Sequence, residues 1–156
     1  MIKCFNIKKK YGSATVLENI NFELDQGEKV SLVGVGGGGK STLLRLLVGL
    51  EKPDLGYAEI AGVDFLKCSS QVKLESIKKI GIAFQKGGLF DFMTVSENLL
   101  FSMKNMTNKS AKEMEEIVLS LLSTVKLSHT KDFYPHELSG GMKRRVGIAR
   151  ALCSDP

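Results

Sequence analysis

A glycine-rich loop with a single lysine has the clearest chemical potential in the sequence. Residues 34–42 are GVGGGGKST and match the pattern G-x-x-x-x-G-K-[ST]. The backbone N–H groups of such a loop can surround the phosphates of a nucleotide, while its lysine contacts the β- and γ-phosphates and its serine binds Mg²⁺. The pattern therefore predicts a nucleoside-triphosphate site made of Gly34, Gly36, Gly37, Gly38, Gly39, Lys40, Ser41 and Thr42.

The same glycines also fit a dinucleotide site. Gly34, Gly36 and Gly39 satisfy G-x-G-x-x-G, and Asp54 or Glu59 follows at a distance that suits a ribose-binding acid. This alternative leaves the lysine and serine of the loop without a role. The triphosphate interpretation uses both, and we favour it for that reason.

The segments on either side of the loop have the order that phosphate binding requires. Residues 29–33 (KVSLV) are mostly apolar, which predicts a strand, and residues 42–50 are apolar almost all round, which predicts a buried helix. Because the first N–H groups of a helix and the positive end of its dipole attract anions, the loop would hold phosphates at the helix start.

The remaining sequence predicts antiparallel strands, a parallel strand and several helices. Alternation over 2–7 and 16–24, with tight turns, predicts a small antiparallel sheet, and 80–84 predicts a buried parallel strand that ends at Gln85. Another strand is predicted at 57–61, and helices at 72–79, 95–103, 110–127 and 139–152.

Composition narrows the class of protein but does not decide it. The 156 residues are 43% apolar, enough for one domain with a core, and the formal charge of +5 suits phosphate ligands, anionic membranes or nucleic acid. No apolar run approaches the length of a membrane span, so we expect the chain in the cytosol, alone or peripheral to a membrane. Cys4, Cys68 and Cys153 indicate neither a disulfide framework nor a zinc site, and we expect His129 and His136 at surface or helix-boundary positions.

A second motif lies near the end of the chain. Residues 138–142 are LSGGM, and the basic segment KRRVGIARAL follows. Ser139, Gly140 and Gly141 at a helix start can bind an anion, because a hydroxyl, bare glycine N–H groups and the helix dipole converge there. The alternative is an ordinary capped helix with a basic face.

Together, these motifs resemble the ATP-binding cassette (ABC) ATPases that power ABC transporters, and the resemblance extends from the first predicted strand to the last residue. Gly34–Thr42 match the Walker A loop, and Leu138–Met142 match the signature sequence. Tyr11 matches the aromatic residue that stacks on adenine, with a simple turn tyrosine as the alternative. Gln85 matches the Q-loop glutamine, which would approach Mg²⁺ and the attacking water; alone, it would be a surface polar residue.

The resemblance implies an α/β fold: a P-loop NTPase cassette with a parallel core sheet, an N-terminal antiparallel β part and a helical subdomain. The chain would be one partial nucleotide-binding domain, with the core in 1–85, the helical subdomain in 86–142 and a return helix in 143–156. ATP and Mg²⁺ are the implied cofactors, with Ser41 and Gln85 at the metal. Ser139 and Gly141 would act on the γ-phosphate held by a second subunit, which implies a head-to-tail homodimer.

The resemblance also implies a membrane partner. Such an ATPase would hydrolyse ATP on the cytoplasmic face of the inner membrane and drive transport through an integral-membrane permease. The segments 84–99 and 138–152, with Met142 where most of these proteins have glutamine, resemble the Mce/Mla-type systems that move phospholipids and related lipids. That subfamily would add a lipid-binding accessory protein. The alternative to this subfamily assignment is that residues 90–92 would provide only generic packing against a helix of any permease.

The sequence departs from the family in two respects. It ends at Cys153–Pro156, where the family continues into the Walker B strand with its Asp, the catalytic Glu and the switch histidine. We therefore expect a fragment with an unfilled place in its sheet and strongly reduced hydrolysis. In the loop, Val35 replaces the usual Pro or Gly and four glycines follow it, which predicts weaker nucleotide binding.

Two other functions are compatible with the sequence. One is a nucleotide-binding module without turnover. The other is a soluble ABC-type ATPase that acts on nucleic acid; the scattered basic residues, without interleaved aromatic residues, make a nucleic-acid partner the weaker interpretation.

Overall fold

The computed structural model describes residues 1–104 and 106–156. The chain forms two compact units, Met1–Ile77 and Lys78–Pro156. The division after Ile77 falls earlier in the chain than the sequence-based division near residue 85.

A four-stranded antiparallel sheet forms most of the first unit. Its strands are β1 (Ile2–Tyr11), β2 (Ala14–Leu24), β3 (Leu55–Ile60) and β4 (Val63–Asp64), in the order β2-β1-β3-β4. A tight turn at Gly12, whose φ is 59°, joins β1 to β2. The antiparallel β part predicted at the N-terminus is confirmed.

Two helices complete the first unit, α1 (Lys40–Leu47) and α2 (Ser70–Ile77). α1 ends two residues before Gly49, whose left-handed φ of 69° suits a helix C-terminus. The buried apolar core between α1 and the sheet consists of Cys4, Ile7, Leu17, Leu43, Leu46, Leu47 and Ala58. This core attaches the start of α1 firmly to the sheet.

Two predicted strands do not form in the described part of the chain. Residues 29–33 and 80–84 have no strand assignment, and the one sheet that the described residues form is antiparallel. Val33 is 88% exposed and Phe84 is 50% exposed, so neither segment is the buried strand that its apolar character predicted. The prediction was wrong here because a strand depends on a hydrogen-bonded neighbour, which an apolar pattern alone does not supply.

The second unit is helical. It contains α3 (Val95–Lys104), α4 (Ala111–Thr124) and α5 (Gly140–Leu152), with 3₁₀ turns at Ser128–Thr130 and Pro135–Glu137. Its core consists of Val95, Leu99, Met103, Val118, Leu122, Leu127, Leu138, Val146, Ala149 and Cys153. None of the helices in the described ranges has the length and apolar character that a membrane crossing requires.

Capping residues set the starts of two of these helices. Ser110 and Glu113 form a reciprocal capping box at α4, and Thr94 and Glu97 form the same arrangement at α3. The predicted helix 110–127 ends earlier, at Thr124, because the chain turns through a left-handed residue two positions later.

All three cysteines are free thiols. Burial raises the pKa of Cys4 to about 11 and that of Cys153 to about 12, so both stay protonated and unreactive near neutral pH.

Candidate functional site

The glycine loop (residues 34–39) leads directly into α1. Gly39 precedes the helix in a left-handed conformation with φ 80°, and its carbonyl accepts the Leu43 N–H at 2.8 Å. The first N–H groups of a helix have no partners inside it, so those of α1 remain available for an anion. Gly37–Thr42 line a cavity of about 150 Å³ at this point.

Glycine is required at specific positions of the loop. A Cβ atom on Gly39 would lie 2.7 Å from Leu17 Cδ2 and 2.8 Å from the Val16 carbonyl oxygen, so the loop packs directly against β2. Gly37 also has a positive φ, of 77°. A Cβ on Gly36 would meet no atom within 4 Å, so close packing does not require a glycine there.

Lys40 is held at the mouth of this cavity by the loop itself. Its Nζ donates to the Gly34 carbonyl at 2.8 Å and to the Val35 carbonyl at 2.7 Å. Ser41, the predicted metal ligand, is exposed beside it, and Thr42 is 9% exposed. The loop therefore presents an ammonium, a hydroxyl and backbone N–H groups together, which suits a phosphate chain.

Tyr11 lies at the end of β1, close to α1. Its hydroxyl donates to the Glu51 carboxylate, and this bond is the main reason that the pKa of Tyr11 is above its usual value. The Thr42 side chain lowers the pKa of Tyr11, but by less than the Glu51 bond raises it. Within the first unit, the Tyr11–Glu51 bond thus joins the end of β1 to the segment after α1.

Gln85 belongs to the second unit, where it lies in a turn and is exposed. It lines a cavity of about 430 Å³ together with Gly140 of the signature segment (residues 138–142) and the cations Lys143 and Arg144. The predicted strand before Gln85 is absent, so the turn itself positions its side chain.

Arg150, which no sequence pattern singled out, stabilises the chain just after Gln85. Its guanidinium donates to the Gly88 carbonyl at 2.5 Å and to the Gly87 carbonyl at 3.2 Å, and burial lowers the pKa of Arg150. The contact joins residues more than 60 positions apart, and a basic residue on a helix gives no sequence signal for it.

The signature segment forms a helix start, as predicted. Ser139 is the N-cap of α5, and its hydroxyl accepts the Met142 N–H at 3.3 Å. Gly140 and Gly141 face open space, because a Cβ on either would meet no atom within 4 Å. Ser139, Gly140 and Gly141 are therefore exposed together at the positive end of α5.

Comparisons with known proteins point to one family. The family model described as "ABC transporter" matches residues 17–156. The chain is 42% identical to the "probable sulfate/thiosulfate import ATP-binding protein CysA" of Chlorella vulgaris, over 97% of this chain and 61% of that protein. It is 36% identical to the "probable ribonucleotide transport ATP-binding protein mkl" of Mycobacterium leprae, over 99% of this chain and 45% of that protein.

A solved structure supports the same assignment. The dimeric, post-hydrolysis structure of the ATP-binding cassette MJ0796 bound to ADP and Pi matches with a TM-score of 0.87 and 32% identity, over 100% of this chain and 71% of that one. The chain thus spans about half to two thirds of the length of the two curated relatives.

Proposed function

The chain belongs to the ABC transporter family, and we propose that it is the ATP-binding part of a transporter ATPase. The observation that supports this most directly is the glycine loop, where Lys40 Nζ and the first N–H groups of α1 lie at one cavity. A bound triphosphate would replace the Gly34 and Val35 carbonyls as the partner of Lys40, exchanging neutral acceptors for charged ones.

Mg²⁺ fits this site as a companion of the nucleotide. Among the described residues, no group of three or more His, Cys, Asp or Glu side chains could hold a metal ion. At the glycine loop, the exposed hydroxyl of Ser41 would contribute one ligand, and the phosphates and water would supply the others. We propose Gln85 as a further contact to the metal and the attacking water. When bound, the metal neutralises charge on the phosphates.

We further propose that two copies assemble head to tail, so that Ser139 and Gly141 of one contact the nucleotide of the other. The exposed helix start of α5, with its free glycine N–H groups, supports this role because donors placed there can stabilise phosphoryl charge. The dimeric state named for MJ0796 agrees with this proposal.

The proposed partner is an integral-membrane permease, with the assembled protein on the cytoplasmic face of the membrane and ATP hydrolysis completed in the full-length protein. We propose phospholipid or a related lipid as the substrate, with a lipid-binding accessory protein, on the likeness of residues 84–99 and 138–152 to Mce/Mla-type systems. The names of the two curated relatives mention other cargo. That variety supports the view that the permease, and not this chain, selects the substrate.

The Lys40→Ala variant tests the proposal. Loss of a charge-assisted bond costs about 1.5–3 kcal/mol, so affinity for ATP with Mg²⁺ should fall by roughly 10- to 150-fold. Isothermal titration calorimetry measures the affinity. Lys67→Ala is the matched control, since it removes the same charge from a side chain that is 78% exposed, on the turn after β4. Unchanged ATP affinity in Lys40→Ala would refute the proposed site.

A further inference from the structure

The segment between α1 and β3 is attached to the end of β1 by several hydrogen bonds. The Asp54 N–H donates to the Lys8 carbonyl at 2.8 Å, and the Lys10 N–H donates to the Asp54 carboxylate at 2.6 Å. Lys9 Nζ donates to the Lys52 carbonyl at 2.7 Å. This attachment brings Glu51 and Lys9 to the Tyr11 side chain from two directions.

Glu51 restrains the Tyr11 hydroxyl. One carboxylate oxygen accepts the phenolic proton, while the other is shielded from solvent and has no hydrogen-bond partner among the described residues. Tyr11 therefore supplies a donor that this partly buried carboxylate otherwise lacks, and the pairing fixes the direction of the ring.

Lys9 covers one face of the ring. Its Nζ lies 5.4 Å from the ring centroid, and the contacts to Lys52 and to Asp54 at 3.9 Å hold it there. The Lys9 side chain is only 14% exposed, whereas Tyr11 remains 44% exposed. The ammonium thus occupies one face by a cation–π contact, and the open surface of the ring is left for a flat ligand.

We propose that Glu51 and Lys9 are positioning residues that hold the Tyr11 ring ready to stack on a purine base; the inference rests on the proposed nucleotide site. A ring restrained before the base arrives loses less side-chain freedom on binding, which increases affinity. Neither residue touches the nucleotide in this role. Both act through Tyr11.

The test compares two ligands, ATP and inorganic tripolyphosphate, because only ATP has a base. In Tyr11→Ala, ATP affinity should fall roughly 5- to 150-fold, as expected for loss of base stacking, with tripolyphosphate affinity unchanged. Glu51→Leu should weaken ATP binding about 3- to 10-fold, the equivalent of one hydrogen bond, again without an effect on tripolyphosphate. Lys9→Met should have a smaller effect of the same kind, about 2- to 5-fold.

Three further variants separate positioning from a general structural effect. Glu51→Gln keeps an acceptor for the hydroxyl and should recover most of the affinity. Tyr11→Phe should weaken ATP binding as Glu51→Leu does and add nothing to it in the double variant, since both remove the same bond. Glu23→Leu, which removes a carboxylate on β2 that is ion-paired with Lys3 near the start of β1, is the matched control and should bind ATP normally.

The outcomes distinguish this inference from the proposed function. If Tyr11→Ala binds ATP like the parent chain, stacking at Tyr11 is wrong. If Tyr11→Ala is weak but Glu51→Leu and Lys9→Met bind normally, stacking stands and the positioning role is overturned. In a background without the other two tyrosines, spectrophotometric titration of the phenol should show that Glu51→Leu lowers the pKa of Tyr11 toward its usual value. An unchanged pKa would also overturn the positioning role.

Discussion

Replacement of Asn98 by alanine should destabilise the helical unit more than any change at its surface. Asn98 is fully buried at the start of α3. Its Oδ1 accepts the Phe90 N–H at 2.7 Å, and its Nδ2 donates to the carbonyls of Phe90, Met93 and Thr94 at 3.1, 3.1 and 2.9 Å. One side chain thus organises the loop that follows Gln85.

The expected loss is about 3 kcal/mol. An N–H left without a partner inside the fold costs about 1–3 kcal/mol. The Met93 carbonyl also loses its donor, whereas the carbonyls of Phe90 and Thr94 keep bonds from the Met93 and Asn98 backbone N–H groups. Urea unfolding followed by circular dichroism measures the change. Asn98→Leu, which replaces most of the lost volume, shows how much of the effect is due to hydrogen bonds and how much to a cavity.

The stability of the Asn98→Asp variant should depend on pH. Its carboxylate would face three carbonyl oxygens without a proton to donate, so burial and repulsion should raise its folded-state pKa above the unfolded value of about 3.9. The protonated acid can donate one bond, so the variant should be most stable below about pH 4 and lose stability as the pH rises through the folded-state pKa. The opposite trend would refute the electrostatic reasoning.

The matched control for this site is Asn108→Ala. Asn108 is exposed in the same unit, so its removal should change the free energy of unfolding by less than about 0.5 kcal/mol. Hydrogen exchange gives a local reading: the Phe90 amide should exchange faster in Asn98→Ala. If Asn98→Ala is as stable as Asn108→Ala, the four hydrogen bonds do not stabilise this loop and the reasoning is wrong.

Two further predictions concern the glycine loop and α4. Gly39→Ala places a Cβ against β2 at a left-handed φ, which should cost about 2–4 kcal/mol and abolish ATP binding, while Gly36→Ala, with open space around it, should be stable by thermal unfolding; equal stability of the two variants would contradict the packing. Ser110→Ala should cost about 1 kcal/mol at neutral pH. The hydroxyl and the N–H of Ser110 both donate to the Glu113 carboxylate and lower its pKa, and Ser110→Ala removes only the hydroxyl bond. That part of the parent–variant difference should be present above the unfolded pKa of Glu113 and lost as the pH falls through the folded one, while the part due to the bond from the Glu113 N–H to the Ser110 hydroxyl remains; a difference that is equal at neutral and low pH would show that the bond to the carboxylate contributes nothing.

Local chemistry made much of this protein predictable. A phosphate loop, an N-cap and a capping box each depend on residues within a few positions of one another, so their spacing in the sequence is also their spacing in space. That is why the loop before α1 and the starts of α3, α4 and α5 agree with prediction. The first two antiparallel strands were predictable for the same reason: a short turn joins β1 and β2, so the strands that pair are also neighbours in the sequence.

Long-range contacts were not predictable from the same information. Tyr11 is hydrogen-bonded to Glu51, which is 40 residues away in the sequence, and Arg150 to Gly88, which is 62 residues away. The type of an acidic or basic side chain does not indicate which distant residue it will bond. Asn98 is an ordinary polar residue in sequence, and only its burial among carbonyls gives it a role.

The sequence by itself determined which residues could bind phosphate and where most helices begin, because those properties depend on neighbouring residues. The tertiary structure alone decided how Tyr11 is held, and it also decided that residues 29–33 and 80–84 are not strands among the described residues. The physical reason is that a strand, or a long-range hydrogen bond between side chains, needs a partner from elsewhere in the fold. A local sequence pattern shows one of the two partners but does not identify the other.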